Sequence, residues 1–142
     1  MTRGCMKLID ANLFIYAVGD PHPYRQASRK VMRDVRAGLV ETNVSTEILQ
    51  KVLNYHHRRQ RTAFAVELFD DLVSLFPDPY PIDLPIAVEA RNVLEQYPFL
   101  QTRDAFHAAV VFQHRLEGII SADRAFDRVV GLKRFDPKEL AA

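Results

Sequence analysis

Short apolar runs alternate with longer helical stripes along this chain, and that alternation restricts the fold more than any other feature. The runs at 7–9, 39–42, 119–121 and 132–135 are too short for helices and are bounded by turn residues, as buried strands are. Between them apolar residues recur at helical spacing. Ala27, Val31 and Val35 repeat every fourth position within 24–37, with Gly38 as a stop. Val44, Ile48, Leu49, Val52 and Leu53 trace one face of a helix for which Ser45 or Asn43 supplies the cap. Phe64, Leu68 and Leu72 form the same kind of stripe over 62–75, and residues 76–85 then hold four of the eight prolines, which no helix crosses. Asp83 and Pro85 open a helix through Ile86, Ala90, Val93 and Leu94 that stops before Pro98. A last helix from Thr102 carries Ala105, Ala108, Ala109 and Phe112, a face small enough to pack closely on a sheet, and Gly118 ends it. The apolar patch 13–18 reads as a helical turn before the turn-rich GDPHP at 19–23. Strands separated by helices predict an α/β fold with a parallel sheet and right-handed crossovers.

Length and charge narrow the functional classes. A chain of 142 residues with 48% hydrophobic content suits a single domain, 1–142, around one core. Nineteen basic against eighteen acidic side chains leave a formal charge of +1. That excludes a bulk positive field as the source of nucleic-acid affinity, which must be local or supplied by metal ions. The lone Cys5 has no partner for an internal disulfide and no activating neighbour in sequence, and no stretch approaches the roughly 18 apolar residues of a bilayer span. A cytoplasmic protein without membrane contact is expected. Met6 directly precedes the first apolar run, so residues 1–5 are expected to be a dispensable extension.

Functional groups of open α/β sheets lie just beyond the carboxyl ends of the strands. Asp10 ends the first strand, Asp123 follows the third by two residues, and Glu47 and Asp104 stand in the first turns of their helices. A first-turn carboxylate gains about 0.3–1 kcal/mol from the helix dipole, which explains Glu47 or Asp104 singly. Asp10, between two apolar runs, ends partly buried and needs compensation. Carboxylates converging at one sheet edge repel one another unless a divalent cation neutralises them. Oxygen ligands without a cysteine or paired histidines favour Mg²⁺ or Mn²⁺ over zinc. Such ions activate water and stabilise the leaving oxygen of a phosphodiester.

The segments MKLIDANLFIYAVGD, VSTEILQKV, TRDAFHAAVV and IISADRAFDRV, in this order and spacing, resemble the PIN domain, and within it the VapC-type ribonuclease toxins of bacterial type II toxin–antitoxin modules. The resemblance spans 6–137. It implies a three-layer α/β/α sandwich with a mainly parallel central sheet, and Mg²⁺- or Mn²⁺-dependent cleavage of single-stranded RNA by metal-activated water. Products would carry 5′-phosphate and 3′-hydroxyl ends. By this resemblance Asp10, Glu47, Asp104 and Asp123 are the catalytic and metal-binding acids, with Asp10 and Asp104 the direct ligands. A cognate antitoxin and a homodimer are the implied partners. The alternative is a catalytically inactive PIN-fold module that binds RNA or protein. A phosphohydrolase using Asp10 as covalent nucleophile would want a second acid where Asn12 stands.

Several neighbours keep two readings. Asn12 either supports the site by hydrogen bonding, as the resemblance implies, or closes an Asx turn. Asp127, four residues after Asp123, is an outer member of the metal set or a solvated acid. The HHRRQR run at 56–61 is a solvated helix end or a phosphate-guiding patch, and Arg103 and Arg124 are further candidates for phosphate contact. His107 and His114 are expected to be packed, hydrogen-bonded histidines.

Overall fold

A computed structural model describes residues 5–141. The expected extension at 1–5 therefore lies outside the described residues except for Cys5, which is exposed. Strand β1 (Lys7–Ile9) leads into α1 (Ala11–Val18) and α2 (Arg25–Arg36), and β2 (Thr42–Asn43) is followed by α3 (Thr46–Arg58), α4 (Thr62–Leu75), α5 (Leu84–Gln96) and α6 (Thr102–Gln113). Strand β3 (Gly118–Ile120), a 3₁₀ turn at Arg124–Arg128, β4 (Arg134–Phe135) and α7 (Pro137–Ala141) complete the chain.

The strands form one parallel sheet in the order β2-β1-β3-β4. From β1 the chain moves one way to β2 and then back across to β3; α1 packs on α2 and on α3, α3 packs on α4, and Arg36 of α2 pairs with Asp71 of α4. Helix α7 packs on α2 and α5 packs on α6, which itself lies against β1 and β3. This is the expected α/β/α sandwich. Leu8, Ile9, Ile119 and Ile120 are fully buried, as a parallel sheet covered on both faces requires. No helix among the described residues is long and apolar enough to cross a membrane.

Local signals account for most boundaries. Ser45 Oγ accepts from the Ile48 amide, which settles the cap of α3 in favour of Ser45, while Asn43 lies in β2. Asp83 Oδ1 accepts from the Ile86 amide at 3.2 Å and Pro85 occupies the first turn of α5. Gly38 adopts φ +74 just past α2.

Several boundaries differ from expectation, β3 running from Gly118 to Ile120 rather than over 119–121 and β4 beginning at Arg134 rather than at 132. Strand β2 begins at Thr42 rather than at 39, because Leu39 is still tied to α2 through its amide to the Asp34 carbonyl, and its side chain is 74% exposed. Gly118 does not end α6. That helix stops at Gln113, and Arg115 takes the left-handed turn at φ +52. Gly118 instead opens β3, where a Cβ would collide with the Lys133 carbonyl and hold β3 away from β4.

Candidate active site

The ladder register decides which residues meet at the sheet edge. Ile9 is opposite Ile120, and the Asp10 amide donates to the Ile120 carbonyl, so Asp10 and Ser121 leave adjacent strands side by side. Asp10 is the N-cap residue of α1 but makes no side-chain cap bond, so its carboxylate is not consumed by the helix. Ser121 Oγ donates to Asp10 Oδ2 at 2.8 Å and accepts from the Asp123 amide at 3.0 Å. The other oxygen, Oδ1, is buried with no hydrogen-bond partner, in a residue 3% exposed. An anionic oxygen left so costs several kcal/mol unless a cation or proton meets it.

Asp104 enters from the first turn of α6, and its pKa is pushed up to about 6. Burial is the largest cause, followed by the charges of Asp123 and Asp10, with Lys51 opposing. Three of the expected acids are therefore in electrostatic contact. Asp123 is exposed and also caps the 3₁₀ turn, its Oδ1 accepting from the Ala125 amide at 2.9 Å.

Glu47 is reached less directly. Its Oε1 lies 3.7 Å from Arg103 Nε, so the arginine next to Asp104, its side chain 42% exposed, stands beside it. Asp127 is turned elsewhere. In a 3₁₀ turn residues three apart eclipse and residues four apart do not, so the shared face expected of Asp123 and Asp127 does not form. Both Asp127 oxygens accept from Arg134, at 2.9 and 3.1 Å, and this bonding holds its carboxyl below the ordinary range. Among the described residues no three His, Cys, Asp or Glu side chains close into a ready cage for a metal ion.

Sequence reasoning missed two members of the site. Ser121 was accessible from the strand-end rule that located Asp10, applied to β3. Lys51 stands four residues after Glu47 and so on the same helical face. Its Nζ donates to Asn12 Oδ1 at 3.1 Å, a bond made possible by the packing of α1 on α3. Asn12 thus acts by hydrogen bonding, on the lysine whose charge opposes the rise at Asp104.

Of the two histidines expected to be packed and hydrogen-bonded, His107 is buried but unbonded, and His114 is exposed and stacked on a tyrosine. His107 is 1% exposed, neither ring nitrogen has a hydrogen-bond partner, and Nε2 lies 3.9 Å from Asp10 Oδ1. Burial lowers its pKa against the pull of Asp10, which keeps the ring neutral at pH 7. His114 stacks on Tyr80 with centroids 4.2 Å apart. His56, read as part of a basic run, is buried between the edges of Tyr55 and Phe64. Burial first, then Arg61 and Arg59, lower its pKa, so the patch is narrower than 56–61.

A sheet edge carrying acids from β1, α6 and the segment after β3 is the arrangement of a class of α/β domains. The PIN domain family model matches residues 7–132, and the chain belongs to that family. It is 30% identical over 129 residues to the VapC ribonuclease Mb1869c of Mycobacterium bovis, covering 91% of this chain and 98% of that one. Among solved structures it is similar to FitAcB from Neisseria gonorrhoeae, with TM-score 0.73, 17% identity, and 94% and 99% of the two chains covered. It is also similar to VapBC2 from Rickettsia felis bound to a DNA fragment from their promoter, with TM-score 0.69, 12% identity, and 92% and 99% covered. At those identities the structural likeness speaks for the fold alone.

Proposed function

We propose that the chain is a metal-dependent endoribonuclease that cuts single-stranded RNA and is restrained by an antitoxin protein. The observation that carries this reading is the pairing of a buried, unpartnered Asp10 oxygen with the mutual charge of Asp10, Asp104 and Asp123. A structural acid is compensated by its own fold, and Asp10 Oδ1 lacks that compensation. The donor set is all oxygen, and Asp10, Asp104 and Asp123 would hold Mg²⁺ or Mn²⁺, with Glu47 at the margin. Mg²⁺ commonly takes only one or two protein carboxylates and keeps several waters, so the lack of a closed cage is compatible with it. Such an ion, when bound, supplies Lewis acidity and an activated water at neutral pH.

The chain's own residues set the geometry. Ser121 fixes the Asp10 carboxylate through Oδ2 and the Asp123 backbone through its amide, so the acids at the two strand ends are tied by one hydroxyl. Lys51, held by Asn12, offsets part of the negative charge and favours the ionised form of Asp104. His107, buried like Asp10, lies 3.9 Å from Asp10 Oδ1 through Nε2. A divalent-ion titration of RNA cleavage tests the proposal. Cleavage should need Mg²⁺ or Mn²⁺ and vanish in Asp104→Asn, and full cleavage by that variant would remove the acid centre from the chemistry. The resemblance to toxins of two-gene modules further predicts a homodimer and inhibition by the product of a neighbouring antitoxin gene.

A further inference from the structure

The loop that carries GDPHP, a turn by its composition, is built on aromatic rings. Tyr16, in the last turn of α1, stacks on His22 with centroids 4.0 Å apart and planes 10° from parallel. Tyr24 lies 6.2 Å from each of the other two rings. These rings do not belong to the core: His22 is exposed, and Tyr16 and Tyr24 are half-buried.

The cluster is held in place from several sides. His22 Nδ1 accepts from the Tyr24 amide at 3.1 Å, which fixes the plane of the ring and leaves Nε2 as its donor. The Tyr24 hydroxyl donates to Asp136 Oδ2 at 3.1 Å, and the Lys138 ammonium sits 4.5 Å over the Tyr24 ring. The cluster also adjoins the acid centre. Asp10 caps the helix that bears Tyr16, and after the larger effect of burial, the charges of Asp10 and Asp123 raise the pKa of the Tyr16 phenol. Arg124, exposed and next to Asp123, is close enough for its charge to be felt at Tyr24.

Tyr16 and His22, fixed 10° from parallel with Tyr24 tilted 29° and 39° to them, present π-faces without further ordering cost. Unpaired bases of single-stranded RNA stack on tyrosine and histidine faces, whereas paired bases do not. We propose that the Tyr16–His22–Tyr24 cluster is a subsite for an unpaired nucleobase of the strand whose phosphate lies at the acid centre, the base extending the stack at His22, the exposed member of the cluster. This rests on the ribonuclease reading and adds to it the means of selecting unpaired RNA. Arg124 takes the intervening phosphate.

The test compares binding of a short single-stranded oligoadenylate with that of an abasic ribose–phosphate oligomer of equal length, without divalent ions so that nothing is cut. Wild-type protein should bind the oligoadenylate about tenfold or more tightly than the abasic strand. His22→Ala and Tyr24→Leu should remove most of that preference, and Tyr24→Phe, which keeps the ring, should retain it. Because His22 is exposed, His22→Ala keeps the test valid where Tyr24→Leu fails to fold. Equal affinities in wild type, or an undiminished preference in His22→Ala, overturn the subsite. The acid centre fails separately, through Mn²⁺-dependent cleavage that survives Asp104→Asn, and that outcome leaves the base preference itself untouched.

Discussion

Two acid-rich corners lie a few residues apart beyond β3 and are treated in opposite ways. Around Arg134, both oxygens of Asp127 and one of Asp136 accept guanidinium hydrogen bonds, and Arg134 also donates to the Ser121 carbonyl at 3.0 Å. Asp136 has burial working against it, yet the Lys138 amide, Arg134 and Tyr24 together hold its carboxyl below the usual range. Around Asp10 the fold supplies one hydroxyl and a distant lysine, and Asp104 rises to about 6. The first corner contains its own cation. The second is arranged as though its cation came from solution, and that difference separates acids that hold the fold together from acids available for chemistry.

The largest expected effect breaks the second corner. Asp10→Asn or Asp104→Asn should lower the rate of RNA cleavage on the order of a thousandfold, since metal-borne charge stabilisation is worth several kcal/mol. Single-turnover kinetics on a labelled single-stranded substrate would read this, and a loss under about tenfold would contradict it. Breaking the first corner should act on stability instead. Arg134→Met leaves Asp136, whose side chain is 12% exposed, without its charge partner and should cost about 2–3 kcal/mol in denaturant unfolding. Its effect on cleavage should be no more than the lost folded fraction explains.

The pH dependence of the two corners should have opposite signs. Folded Asp104 keeps its proton up to about pH 6, whereas in the unfolded chain it is released near 3.9. The folded state therefore binds more protons in that window, and without divalent ions Asp104 should subtract stability as pH rises from about 4 to about 6. Allowing for solvent screening of a half-buried group, the loss is on the order of 1 kcal/mol. Asp104→Asn should match wild type below that window and exceed it above. Asp127 and Asp136 contribute in the other sense: their stabilisation is present above the unfolded pKa and fades as pH falls through their lowered folded values. Denaturation midpoints across this range in EDTA would separate the two slopes. The smallest effect is Asp127→Asn, under about 1 kcal/mol because that side chain is 50% exposed, with cleavage unchanged.

Asp10, Asp104 and Asp123 were legible in the sequence because strand ends and first helical turns are marked by local apolar spacing and because their order and spacing resemble those of the PIN domain. Asp127 was not, since a 3₁₀ turn and an α-helix carry the same acids and differ in pitch by an amount the pattern of one short segment does not encode. Arg134, which claims Asp127, lies beyond another loop, and only the pairing of β3 with β4 brings it near. Lys51 and Asn12 likewise meet through the packing of α1 on α3, thirty-nine residues apart. The cap of α5 at Asp83 was readable because donor and acceptor are three residues apart. Helix α7, five residues long, carries too little periodicity to be seen at all. What the sequence shows is what neighbours along the chain decide. What it hides is decided by register and crossing.

The claim that the Asp10 corner awaits a cation is tested most directly by thermal unfolding of wild-type and Asp10→Asn protein with and without saturating Mn²⁺. Mn²⁺ at about a hundred times its dissociation constant should stabilise the wild type by about 2.7 kcal/mol, and Asp10→Asn should lose most of that gain. An equal shift in both proteins, or none in the wild type, would contradict the account.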